Sequence, residues 1–184
     1  SIVVAGTHGK TTTSSLLASC LMHAGLDPTV MIGGIVKELG ANYRIGNGAH
    51  FVVEGDEYDT AFFDKGSKFL HYQPEIAILT SIEFDHADIF KDLDQIKRSF
   101  ARFVQSIPPG GLLIAHLDDP VVREIAGYAH CTVQGYGLNM NDWTLTNRQS
   151  QPGMSTFTAT HQGKRSFDLN LNLPGRHNCL NGLA

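Results

Sequence analysis

A basic surplus, paired cysteines and long apolar runs are all missing from this chain. Fourteen Lys and Arg against eighteen Asp and Glu leave a net charge of −4, without the cationic excess that nucleic acids select, so no nucleic-acid partner is expected. Cys20, Cys131 and Cys179 are odd in number, far apart and without a C-x-x-C pair. That argues against a disulfide framework or a zinc site and leaves them as small apolar fillers. No run approaches the roughly 18 apolar residues of a membrane helix, and the first residues read as a strand rather than a signal peptide. No membrane association is expected, and the cytoplasm is the expected compartment. Repeats and low-complexity segments are absent as well. What remains is 184 residues, 42% hydrophobic and 17% charged, which suits one globular domain long enough to bury a core.

The stretch around which the rest is organised follows the apolar run Ile2-Val3-Val4. Ala5-Gly6-Thr7-His8-Gly9-Lys10-Thr11-Thr12-Thr13 reads as a strand feeding a glycine-rich turn that opens a helix. Such a turn points several backbone N–H groups and a positive helix terminus at one spot, which suits an oligophosphate. Val4 stands where the full G-x-x-x-x-G-K-[ST] pattern has its first glycine, so this is a shorter form. Lys10 is placed to reach the β- and γ-phosphates of ATP, and Thr11 to ligate the accompanying Mg²⁺. Gly6, Thr7, His8, Gly9, Lys10, Thr11 and Thr12 are the expected nucleotide-binding set.

Downstream, the pattern alternates strand and helix. From Thr12 to Ala24, the residues Leu16, Leu17, Cys20, Leu21 and Ala24 recur at helical spacing as one buried stripe that Gly25 ends. Thr29 to Ile32 reads as a strand stopping at Gly33-Gly34, with a polar loop on the active-site side out to Gly48. Phe51-Val52-Val53 is a buried strand leading to Glu54-Gly55-Asp56-Glu57-Tyr58-Asp59. Residues 60–72 read as a loop or short helix. Ile76 to Thr80 is another buried strand, leading to Glu83-Phe84-Asp85-His86-Ala87-Asp88. Asp92 to Gln95 has the form of a capping box ahead of a helix through Ile96, Phe100, Phe103 and Val104. A strand at Leu112–Ala115, a helix after Asp119-Pro120 and a strand from Cys131 follow. Beyond Gly137 the spacing becomes strictly alternating, which predicts an antiparallel appendage with a hairpin at 161–164. A helix opens at Arg176. The fold class is therefore α/β, a P-loop-type, mostly parallel sheet flanked by helices with a small antiparallel β appendage near the C-terminus.

Hard Mg²⁺ takes oxygen ligands and keeps several waters, so Thr11, phosphate and one or two carboxylates suffice. Glu54 is the first choice, standing at the carboxyl end of an apolar strand where open α/β sheets form their ligand crevice. Asp56, Glu57 and Asp59 are weaker candidates for the same role or for orienting water. His86, between Asp85 and Asp88, reads either as an ordinary histidine or as part of a second metal site. Asn178 and Asn181 share a helix face at i and i+3, and their amides match the N6 and N7 edge of adenine, although helix-start capping explains asparagine there equally well.

The loop Gly6–Thr13, the run Glu54–Glu57, the run Asp85–Asp88 and Gly175-Arg176-His177-Asn178-Cys179-Leu180-Asn181, in that order, resemble the central ATPase domain of the Mur ligases, over nearly the whole chain. The resemblance implies ATP held by Lys10 and the loop, and Mg²⁺ served by Thr11, Glu54 and His86. It further implies adenine met by Asn181 with Asn178 nearby, with Lys10, Glu54 and His86 as the catalytic set. The run Glu57–Lys65 with Ser67-Lys68-Phe69 is similar to the branch that joins the murein tripeptide L-Ala-γ-D-Glu-meso-diaminopimelate to UDP-N-acetylmuramate through an acyl phosphate. The alanine-adding branch is the runner-up. Several members carry a carbamylated lysine on the helix after the Asp-His motif. Counting along that helix lands near Phe100, so no carbamate is expected and Lys97 reads as a surface residue. The family's N-terminal nucleotide-sugar domain and C-terminal ligase domain are not in this sequence, so residues 1–184 read as the middle third, inactive alone as a ligase. A nucleotide-binding regulatory module and a folylpolyglutamate-type ligase are the competing classes, and the sequence carries no signal for oligomeric state.

Overall fold

The computed structural model describes residues 1–57, 59–61, 64–84, 92–139 and 141–184. In chain order it runs β1 (Ile2–Ala5), α1 (Lys10–His23), β2 (Thr29–Val36), β3 (Ala41–Arg44) and β4 (Phe51–Gly55). A short hairpin of β5 (Asp59–Ala61) and β6 (Asp64–Ser67), a 3-10 turn at Lys68–His71 and β7 (Ile76–Leu79) follow. Next come α2 (Leu93–Gln105), β8 (Leu112–His116), α3 (Pro120–Ala126) and β9 (Thr132–Gly137). The chain closes with β10 (Trp143–Gln151), β11 (Met154–His161), β12 (Arg165–Leu171) and α4 (Arg176–Leu183).

One ten-stranded sheet holds all but the β5–β6 hairpin, in the order β12-β11-β10-β9-β8-β7-β1-β4-β2-β3. The strand that feeds the glycine loop is internal, with β4 and β7 parallel on either side and Ile2 in register with both Val52 and Ile76. β-branched residues suit a strand covered on both faces, and Val3, Val4, Val52 and Val53 are fully buried. The expected fold class holds, and the antiparallel β10–β12 meander extends the main sheet. Trp143 and Thr144 pair parallel with Tyr136 and Gly137. The turn between β11 and β12 places Gln162 and Gly163 at φ 48° and 67°, the left-handed pair of a tight hairpin.

The α2 and α3 helices cover one face. Asp92 caps α2 by accepting from the Gln95 N–H at 2.8 Å, and Asp119 caps α3 from the Val121 and Val122 N–H groups. Phe69, on the 3-10 turn, seats its ring between Phe100 and Phe103 at 5.0 and 4.8 Å. Among the described residues no helix is long and apolar enough to cross a membrane.

Three expectations change. The face that α1 buries is Thr13, Ser14 and Ala18, not the leucine stripe; Leu16, Leu17 and Leu21 are half-buried and Cys20 is exposed, so that cysteine is no core filler. A helix that begins at the sheet's edge lies close against β1, β2 and β4, and only small side chains fit between. The strand β2 does not stop at Gly33-Gly34 but continues to Val36 and pairs with β3, so 35–44 is largely strand rather than loop. Those glycines allow close approach: a Cβ on Gly33 would stand 3.3 Å from Glu54 Oε2, and one on Gly34 2.9 Å from Thr11 Cγ2. Where described, the segment expected as loop or short helix holds the strands Asp59–Ala61 and Asp64–Ser67 and the 3-10 turn Lys68–His71, with Asp59 paired to Ser67.

Candidate functional site: a phosphate loop and nucleotide cleft

Five adjacent parallel strands, β4, β1, β7, β8 and β9, end on one edge of the sheet, and their last residues and the loops beyond them supply the site. After β1 the chain turns sharply at Gly6, whose φ is 131°. A Cβ there would lie 2.2 Å from Thr80 Oγ1 and 2.9 Å from the Ser81 N, so only glycine lets the turn pass beneath the end of β7. The loop is pinned to that neighbour: Thr7 N–H donates to the Ser81 carbonyl at 2.7 Å, His8 N–H to Ser81 Oγ at 3.1 Å, and Glu83 N–H to Thr7 Oγ1 at 3.0 Å. Gly9 then caps α1 in the left-handed region at φ 85° and offers no side-chain acceptor to the helix's first N–H groups.

The first turn of α1 presents Lys10 and Thr11 to two different carboxylates. Thr11 Oγ1 lies 3.0 and 3.1 Å from the oxygens of Glu54, which also accepts from the Gly33 N–H at 2.9 Å. The expected metal pair is thus together. Its donor set of hydroxyl and carboxylate oxygen is the kind that Mg²⁺ accepts. Lys10, expected to reach toward phosphate, has a side chain only 12% exposed and folded back on its loop. Its Nζ donates to the Gly6 carbonyl at 2.7 Å and to Glu57 Oε2 at 2.8 Å, and Glu57 is 3% exposed. Glu57, a weaker candidate for the metal, is here the partner of the lysine. His86 lies outside the described residues. Among the described residues no cluster of three His, Cys, Asp or Glu is gathered.

A cavity of about 300 Å³ is lined by Thr7 to Thr12 and Glu54. Its His8–Gly9–Thr12 wall is shared with a larger cleft of about 490 Å³ that runs toward Asn178 and Asn181. Asn181 lies over the loop: a Cβ on Gly9 would stand 2.4 Å from its Oδ1. Asn178, inside the first turn of α4, donates its amide to the Pro174 carbonyl at 2.8 Å and does not cap the helix, and its Oδ1 is 3.5 Å from Asn181 Nδ2. The far wall is the stacked pair His116 and Tyr136, centroids 5.2 Å apart. Burial pushes the Tyr136 hydroxyl well above its usual range, with the Asp119 charge adding to it, so it stays protonated. Thr80, Ser81, Glu83, His116 and Tyr136 escaped the sequence reading, although Thr80 and His116 each sit where an apolar strand ends. Lys97, expected at the surface, pairs with Glu124 at 2.7 Å on α3.

Residues 4–184 match the family described as the Mur ligase middle domain. The chain belongs to the Mur ligases. This Mur ligase domain is 40% identical over its whole length to 39% of a UDP-N-acetylmuramate–L-alanine ligase of Alkaliphilus metalliredigens. It is 39% identical, over 99% of its length, to 40% of the UDP-N-acetylmuramate–L-alanyl-gamma-D-glutamyl-meso-2,6-diaminoheptandioate ligase of Haemophilus influenzae. The chain spans about two fifths of the length of these curated relatives. Among solved structures, the tripeptide ligase of Neisseria meningitides superposes with a TM-score of 0.88 at 38% identity, covering 99% of this chain and 58% of that one. The alanine ligase of Thermotoga maritima gives 0.80 at 29% identity, covering 100% and 39%.

Proposed function

We propose that this domain binds MgATP and serves an amide ligase that joins L-Ala-γ-D-Glu-meso-diaminopimelate to UDP-N-acetylmuramate, in the cytoplasm and in the recycling of cell-wall peptide. The observation that carries the nucleotide half is the Thr11 hydroxyl 3.0 Å from Glu54 at the first turn of a helix whose N-cap is a left-handed glycine. Bound MgATP would supply the phosphoryl group that turns an unreactive carboxylate into an acyl phosphate open to an amine.

The chain's own part is to bind and align. Thr11 and Glu54 hold the metal, with His86 as a further ligand, and the N–H groups of Gly9, Lys10 and Thr11 with the Lys10 ammonium hold phosphate oxygens. Asn181 and Asn178 meet the adenine edge, and the cleft walled by His116 and Tyr136 excludes water around it. Sugar and amine contacts belong to parts of the protein outside this chain.

The tripeptide acceptor is supported by the higher superposition with the Neisseria ligase and by the run Glu57–Phe69. The alanine acceptor is the second reading, favoured by curated alanine ligases at 40–41% identity. Phosphate release by the intact ligase, assayed with each acceptor in turn, separates them. Tripeptide should give the far higher kcat/KM, because its remote carboxylates supply binding energy that orients the attacking amine. Preference for free L-alanine would promote the second reading.

A further inference from the structure

Glu54 and Glu57 leave one strand end three residues apart, and the chain turns them to opposite tasks. Glu54 faces Thr11 and Gly33, whereas Glu57 meets the Lys10 ammonium with both carboxylate oxygens, at 3.1 and 2.8 Å. An ammonium has three N–H donors. Here they point at Glu57 and at the carbonyls of Gly6 and Thr7, 2.7 and 3.4 Å away, so the cation that is to meet phosphate is turned into its own loop.

We propose that Glu57 is the positioning residue for Lys10. It is a built-in counter-ion that stores the ammonium in the loop before nucleotide arrives and stays attached when phosphate oxygens replace the two carbonyls. The proposal rests on the nucleotide reading above. Burial decides which contacts yield: at 3% exposure a carboxylate stripped of its cation is costly, whereas a carbonyl oxygen is neutral and loses less. Glu57 therefore fixes where the ammonium stands and also lessens the positive charge that phosphate meets. The site gives up some affinity for ATP and gains a fixed lysine for phosphoryl transfer.

Glu57→Gln tests this, because it keeps shape and hydrogen-bonding capacity and removes the charge. In the chain described, MgATP should bind about threefold tighter by calorimetry, since a like charge near the phosphates is gone. Lys10 should be modified by an amine-reactive ester about fivefold faster without nucleotide, since its tether is gone. In the intact ligase kcat should fall about tenfold while the KM for ATP falls too, a split that a merely structural residue would not produce. Should Glu57→Gln not fold, Glu57→Asp, which keeps the charge but draws it back by a methylene, carries the labelling test with an expected gain of about twofold. Weaker or unchanged nucleotide binding with unchanged labelling, in folded protein, overturns the role of Glu57. If the parent chain binds no MgATP at all, the nucleotide reading falls first and this inference with it.

Discussion

The Thr80 hydroxyl donates to the carbonyl oxygen of His8 at 2.6 Å, with the Ala5 carbonyl 3.2 Å away, so a buried side chain just past β7 holds the turn that follows β1. Thr80→Val keeps the volume and removes the donor to the His8 carbonyl, while the Ala5 carbonyl keeps the residue-80 N–H at 3.1 Å. The loss should be about 1–2 kcal/mol, seen in calorimetry as a Tm lower by roughly 2–6 °C for a domain of this size. MgATP binding should weaken as well. An unchanged Tm would show that the hydroxyl does not hold the loop.

Gly9 carries two separable constraints, its left-handed φ of 85° and the amide of Asn181 that a Cβ would meet at 2.4 Å. Gly9→Ala should cost about 1–2 kcal/mol from the backbone alone, with the contact added. Introducing Asn181→Ala alongside it should restore the contact part and leave the backbone part. Strict additivity of the two thermal shifts would mean that residues 9 and 181 do not touch.

The carboxylate that serves the metal should show itself in a Mg²⁺ titration of ATP binding. Glu54→Gln keeps the hydrogen bond from Gly33 available but removes the charge, and should raise the Mg²⁺ needed for half-saturation by roughly tenfold. Asp56→Asn, at a carboxylate that pairs with Lys68 at 3.5 Å, should shift it by no more than about twofold. A larger effect at Asp56 would move the metal along the strand end.

Asp118 supports the far wall of the cleft, accepting from the Leu138 N–H at 2.6 Å and from the side-chain amide of Asn141 at 3.0 Å. Burial by itself would raise its pKa, but those donors, with Asn139, outweigh it and hold the carboxyl below its ordinary value. A depressed folded pKa contributes stability that is complete above the unfolded value of about 3.9 and disappears as pH falls through the folded one. Asp118→Asn should therefore lower Tm at neutral pH, and the gap to the parent should shrink as acid is added below about pH 4. A gap that is constant with pH would remove the charge from the account.

Much of this was legible because local chemistry and global fold agree. The four-residue apolar runs could only be covered strands, and Asp92 and Asp119 announce their helices by capping them. The loop from Gly6 to Thr12 names its ligand class by its order of strand, turn, lysine and helix. What stayed hidden depends on neighbours distant in sequence. Gly33 and Gly34 read as a break because nothing local says that Glu54 and Thr11 press on them. The sequence ranks Glu54 first among the acids at the end of β4 but does not say what Glu57 meets, and the pairing of β4 with β1 sends Glu54 to Thr11 and Glu57 to Lys10. The leucines of α1 advertise a core face, but the demand for small residues against the sheet overrides them.

Asn181 resting against Gly9 means that the site is bounded by residues from opposite ends of the chain. During synthesis the phosphate loop leaves the ribosome long before α4 does. The loop can fold onto β7 early, yet the cleft acquires its Asn178 and Asn181 wall only when α4 docks beside α1. Long-range closures of this kind come late and slowly. If Asn181 meets adenine as proposed, nucleotide affinity reports on completion of the domain: a nascent or truncated chain lacking α4 should keep its phosphate cradle and lose that contact.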